Sequence, residues 1–130
     1  MLVVCLILDE TSLKILLVDD EPDIARNLKT GLEKAGFYVD VYNSPWQAIN
    51  NFKPDYYDRI IADIRMPAMN GFEFARAIWE KDANADICFL SAFEMYEQAA
   101  KKAFANLKDY CFIKKPIHIS DLVKHIQTHV

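Results

Sequence analysis

Five short apolar runs alternate with amphipathic stretches along this chain, and that alternation limits the fold more than any other feature. "LKILLV" (13–18) is apolar enough for a buried strand. "FYVDVY" (37–42) is aromatic and β-branched, with strand-like alternation. "YDRIIAD" (57–63), "DICFLS" (86–91) and "DYCFI" (109–113) read as the remaining three strands. Between them lie helix patterns. "PDIARNLKTGLEKAG" has Pro22 at a first helical position, repeats Ile24, Leu28, Leu32 and Ala35 at helical spacing, and ends at Gly36. Ser44 caps a second helix in "SPWQAINNF", with Pro45 just inside it. "GFEFARAIWEKDA" (71–83) and "EMYEQAAKKAFA" (94–105) supply the third and fourth. "ISDLVKHIQTHV" closes the chain with Ile119, Leu122, Val123, Ile126 and Val130 on one face. Alternation with connections this short predicts an α/β domain, a parallel sheet with helices on both faces. In such a domain the functional residues collect at the carboxyl ends of the strands.

A chain of 130 residues with 52% hydrophobic content suits one domain with one real core, and no linker divides it. Its net charge of -4, with no Lys/Arg stripe, argues against direct nucleic-acid binding. No apolar run approaches the ~18 residues of a membrane span. "MLVVCLILDE" is apolar for seven residues after Met1, but it lacks a positive n-region and a small-residue cleavage site. The expected location is therefore the cytoplasm, and no membrane contact is expected. Cys5, Cys88 and Cys111 form no C-x-x-C pair; Cys88 and Cys111 sit in apolar runs and read as reduced, buried thiols.

One near-repeat needs a choice. "LVVCLILDE" (2–10) resembles "KILLVDDE" (14–21), but only the second copy is followed by a proline and a full helix. The second copy is thus the first strand, and residues 1–12 are an apolar N-terminal extension. That extension reads as a loosely packed tail, an added edge strand or a contact to another chain.

The strand ends carry the chemistry. Strand one ends in Asp19-Asp20, strand three in Asp63 and strand four in Ser91, while strand five runs on to Lys115-Pro116. Each has a bland reading by itself: helix cap, turn residue, strand-end hydroxyl, solvated lysine. Together they bring three carboxylates, a hydroxyl and an ammonium to one edge of a parallel sheet. Three close acids repel unless a cation joins them, and the hard, oxygen-ligated cation that fits is Mg²⁺.

The motifs "LLVDDE", "IIADIRMPAMNG", "FLSA" and "KKP" resemble, in combination, a receiver domain of two-component response regulators, over residues 13–130. The resemblance implies a flavodoxin-like, doubly wound five-stranded parallel sheet of order 2-1-3-4-5. It implies that Asp63 accepts a phosphoryl group as a carboxylate nucleophile. Asp20 would ligate Mg²⁺, Asp19 would do so directly or through water, and the Arg65 backbone carbonyl would complete the protein ligands. Lys115 would pair with one phosphoryl oxygen and Ser91 would donate to another, with a cis bond before Pro116. Phe112, three residues before Lys115, takes the place of the switching aromatic, with Tyr110 second. The switching face would be helix four, strand five and helix five. The implied partners are a sensor histidine kinase or phosphotransfer protein and a downstream protein target; a homodimer is also compatible.

On this reading the chain is a stand-alone phosphoacceptor signalling domain, self-catalysed in gain and loss of phosphate, with no external substrate. Aspartate-nucleophile phosphatases share the acid, Mg²⁺ and lysine but need a second acid two residues after the nucleophile, where this chain has Arg65. Arg65 and Phe93 flank the expected site and are candidates for controlling water access to it. "AFANLKDYC" lacks the small Gly-Ala turn often found before strand five. His125 and His129, four apart, read as a solvated helix face rather than a metal pair, and His118 has no evident partner.

Overall fold

The computed structural model describes residues 12–92, 98–99, 101–102 and 112–128. In chain order the elements are β1 (Lys14–Val18), α1 (Pro22–Lys34), β2 (Tyr38–Tyr42), α2 (Pro45–Asn50), β3 (Arg59–Asp63), α3 (Gly71–Lys81), β4 (Ile87–Ser91), β5 (Phe112–Lys114) and a C-terminal helix (Ile119–Thr128). The strands form one sheet in the order β2-β1-β3-β4-β5, and every pairing is parallel. This is the flavodoxin-like order. The chain winds outward from β1 to β2, then crosses back to β3, so the topological switch point lies between β1 and β3.

Alternate residues of each strand feed two apolar layers. Ile15, Leu17, Ile61, Cys88 and Leu90 pack with Leu32 of α1 and with Leu122 and Ile126 of the C-terminal helix. Leu16, Val18, Ile60 and Phe89 pack with Ala48 of α2 and with Phe74 and Ile78 of α3. A strand covered on both faces reads as a continuous apolar run rather than an alternating one. That accounts for "KILLV" and "ICFLS", whose burial is nearly uninterrupted.

Several element ends differ from the sequence expectation. In α1, Ala25 is buried, and Ala35 is exposed because the helix stops at Lys34 and Gly36 adopts φ +100° just beyond it. β3 begins at Arg59 rather than at residue 57. The Tyr57 hydroxyl instead donates to Asp40 Oδ2 at 2.7 Å, and Asp58 Oδ2 accepts from the Lys14 amide at 2.8 Å. Burial, reinforced by Asp40, pushes the Tyr57 phenol well above its usual range. α3 ends at Lys81 because the Asp82 carboxylate bonds elsewhere, accepting from the amides of Asn84 at 3.1 Å and Asp55 at 3.0 Å. At the start of α3, Asn70 Oδ1 accepts from the Glu73 amide at 2.9 Å.

β5 extends one residue past the expected 113, since Lys114 pairs in register with Ser91. Residues 109–111 lie outside the described residues, as do Cys5, Cys111, His129 and residues 1–11 of the expected extension. Of the expected fourth helix, residues 98, 99, 101 and 102 are described, and they are helical. Among the described residues no helix is long and apolar enough to cross a membrane.

Candidate functional site

The carboxyl ends of β1, β3 and β4 and the segment after β5 open into a single cleft of about 620 Å³. Asp20, Glu21, Asp63, Arg65, Ser91 and Lys115 line it, with Ile64, Met66, Pro67 and Phe72 as an apolar wall. Asp19 sits behind the acids, fully buried. Its amide donates to the Tyr42 carbonyl at 3.2 Å, its carbonyl accepts from Asn43 Nδ2 at 3.0 Å, and Oδ1 accepts from the Glu21 amide at 3.0 Å. Both the backbone and the side chain of Asp19 are therefore pinned at the mouth of β1.

Lys115 joins the two halves of the site. Its ammonium lies 3.3 Å from Asp19 Oδ2 and 3.3 Å from Asp63 Oδ2. Its amide donates to the Ser91 carbonyl at 2.9 Å, which continues the β4–β5 ladder by one residue. The Lys115–Pro116 bond is cis. Ser91 is buried at the end of β4 and faces the cleft. Phe112 is half-buried, its ring centroid 5.7 Å from that of Phe89. Arg65 is exposed, while its backbone amide donates to the Asp63 carboxylate. Phe93 and Tyr110 lie outside the described residues.

The electrostatics follow from crowding in a dry place. Burial raises the Asp63 carboxyl above its ordinary value; Lys115 opposes the rise and Asp19 adds to it. Burial disfavours the Lys115 ammonium, but Asp19 and Asp63 outweigh that and hold it above its usual range. For Asp63, a raised folded-state value means that the native state holds its proton more tightly than the unfolded chain does. Stability therefore falls as pH rises from the ordinary value of 3.8 through the folded one, and the ionised carboxylate is a net cost at neutral pH. Without divalent cations, Asp63→Asn should raise the melting temperature at pH 7, and the gain should vanish below pH ~3.5, where the carboxyl is protonated. Thermal melts in a chelator at the two pH values check this; a lower melting temperature at pH 7 would contradict it.

The cluster suits a hard cation. Asp19, Asp20, Glu21 and Asp63 each offer an oxygen, and these atoms lie within 4.8 Å of one another. Asp20 Oδ1 is buried without a hydrogen-bond partner, a costly arrangement for a carboxylate unless something else uses it. All-oxygen donors of this charge fit Mg²⁺. Glu21 is the member that sequence reasoning missed. Its signal was its position, directly after the aspartate pair and next to the first turn of α1, where an acid also suits the helix dipole.

The profile of the response regulator receiver domain family matches residues 15–127. The receiver protein CpdR of Brucella abortus is 32% identical over 114 residues, covering 88% of this chain and 93% of that protein. The transcriptional regulatory protein PrrA of Mycobacterium leprae is 29% identical over 90% of this chain, which spans only 49% of PrrA. Among solved structures, the chemotaxis protein CheY4 of Vibrio cholerae superposes with a TM-score of 0.80 at 26% identity, covering 92% of this chain and all of that one. With Lys115 reaching across the switch point to two of four clustered acids, and with a family profile spanning nearly its whole length, this chain belongs to the response regulator receiver domains of two-component signalling.

Proposed function

We propose that the chain receives a phosphoryl group on Asp63 from a phosphohistidine of a sensor kinase or phosphotransfer protein, in a Mg²⁺-dependent reaction. An Asp63 carboxylate oxygen attacks phosphorus, the P–N bond breaks, and the imidazole leaves with a proton. The observation that carries this reading is the position of Lys115, whose ammonium is 3.3 Å from Asp63 and 3.3 Å from Asp19. A cation there can follow the negative charge from the free carboxylate to the phosphoryl oxygens. Ser91, at the end of β4, donates its hydroxyl to another phosphoryl oxygen.

Asp19, Asp20 and Asp63, with the Arg65 carbonyl, would hold Mg²⁺, and Glu21 is close enough to assist. The metal supplies charge neutralisation, so that an anionic nucleophile can meet an anionic donor. Phe112, whose ring lies tilted against that of Phe89, is the aromatic that responds when Ser91 is drawn toward the new phosphate. The output is a protein contact through the fourth helix, β5 and the C-terminal helix, and the site of action is the cytoplasm.

Intact mass after incubation with a small phosphodonor tests the reaction. Wild type should gain one phosphoryl group with Mg²⁺ and none in a chelator, and Asp63→Asn should gain none under either condition. Equal gain in wild type and Asp63→Asn would overturn the assignment.

A further inference from the structure

The two halves of the site stand on two different helices. Asp19, Asp20 and Glu21 lead directly into α1, whereas Lys115 lies four residues before Ile119, the first residue of the C-terminal helix. The two helices share one apolar layer, and their tightest approach is at Gly31. A Cβ built on Gly31 of α1 would overlap Ile119 Cγ1 and fall 2.6 Å from Cδ1 and 3.2 Å from Cβ. Only a residue without a side chain lets them approach this closely. Yielding costs Ile119 a rotamer change, since a β-branched side chain is stiff at χ1 and its Cβ is itself within the tight range.

We infer that Gly31 is a positioning residue for phosphoryl transfer: its contact with Ile119 sets the height of the C-terminal helix, and through it the reach of Lys115 to Asp19 and Asp63. The inference rests on the proposed role of Lys115. The segment from Lys115 to Ile119 is short, and its amide end is fixed by the bond from Lys115 to the Ser91 carbonyl at 2.9 Å. A shift of Ile119 away from α1 is therefore passed through Pro116, Ile117 and His118 to Lys115, whose amide is held by Ser91 while its side chain is left to swing. The lysine meets two carboxylates at 3.3 Å, so small displacements break at least one contact. Intrinsic propensity points the other way, because alanine strengthens a helix interior relative to glycine. A purely local role for Gly31 would thus leave Gly31→Ala as good as wild type or better.

The test compares wild type, Gly31→Ala, Ile119→Ala and the double variant, by phosphorylation rate with a small phosphodonor and by crystal structure. Gly31→Ala should react about tenfold to a hundredfold more slowly, with Lys115 drawn away from one of its two carboxylates. The double variant, with Cγ1 and Cδ1 removed, should recover most of the rate and both contacts. A Gly31→Ala protein with wild-type rate and both Lys115 contacts would overturn the inference, as would slowing that Ile119→Ala does not rescue. If Gly31→Ala does not fold, Ile119→Ala decides alone, since it opens the same contact: a displaced Lys115 supports the inference, and an unmoved one overturns it. If wild type takes up no phosphoryl group, the proposed function fails, and the position of Lys115 in the variant structures still decides the role of Gly31.

Discussion

Gly71→Ala should destabilise the domain by about 2–3 kcal/mol and cripple phosphoryl uptake together. Gly71 is the first residue of α3, and its amide donates to the Ile64 carbonyl at 2.8 Å. A Cβ there would meet the Asp63 carbonyl oxygen at 2.7 Å and Ile64 Cα at 2.9 Å. Both are backbone atoms of the segment that carries the proposed nucleophile, so no rotamer change can relieve the clash. Either α3 lifts off its apolar layer or the Asp63–Ile64 backbone moves. Urea denaturation reads the first consequence and intact mass after phosphodonor treatment the second. A variant with wild-type stability and wild-type uptake would show that α3 does not hold this segment in place.

The second large effect is at the opposite end of β3. Arg59 is fully buried, with Nε 3.2 Å from Asp86 Oδ2 and Nη1 donating to Cys88 Sγ at 3.3 Å. Asp86→Ala removes the carboxylate and leaves the guanidinium in a dry layer. Breaking such a pair costs ~3–5 kcal/mol when both partners are buried. Asp86 keeps 37% of its side-chain surface exposed, which weakens the pair, so about 2 kcal/mol is expected here. Arg59→Met replaces the charge with apolar volume and should fall within ~1 kcal/mol of wild type. The double variant should therefore be more stable than Asp86→Ala alone, which a urea series on the four proteins measures. Independent, additive losses would contradict the pairing.

Much of this molecule was legible because local and global signals agreed. "LKILLV" read as a buried strand because β1 is covered on both faces, and Pro22 and Gly36 marked the ends of α1 because φ restriction and φ freedom act at single residues. The convergence of Asp19, Asp20, Asp63, Ser91 and Lys115 was readable from strand ends alone, since parallel strands deliver their carboxyl ends to one edge. Other features depended on partners far away in sequence. Nothing in the sequence marked Arg59 as buried, and its partners Asp86 and Cys88 come from just before and within β4. The exposure of Ala35 follows from the stop of α1 at Lys34, which helical spacing alone does not determine. Glu21 was passed over because an acid beside a helix start has a sufficient local explanation; only the fold brings it within 4.8 Å of Asp63.

On the proposed function, this acidic edge carries a phosphoryl group on one particular carboxylate. An acyl phosphate is reduced by borohydride where a free carboxylate is not, so the modified aspartate becomes homoserine and can be located by peptide sequencing. After Mg²⁺-dependent phosphorylation and reduction, homoserine should appear at position 63 and at no other aspartate. Homoserine at position 19 or 20, or none in a protein that has gained phosphate, would contradict the account.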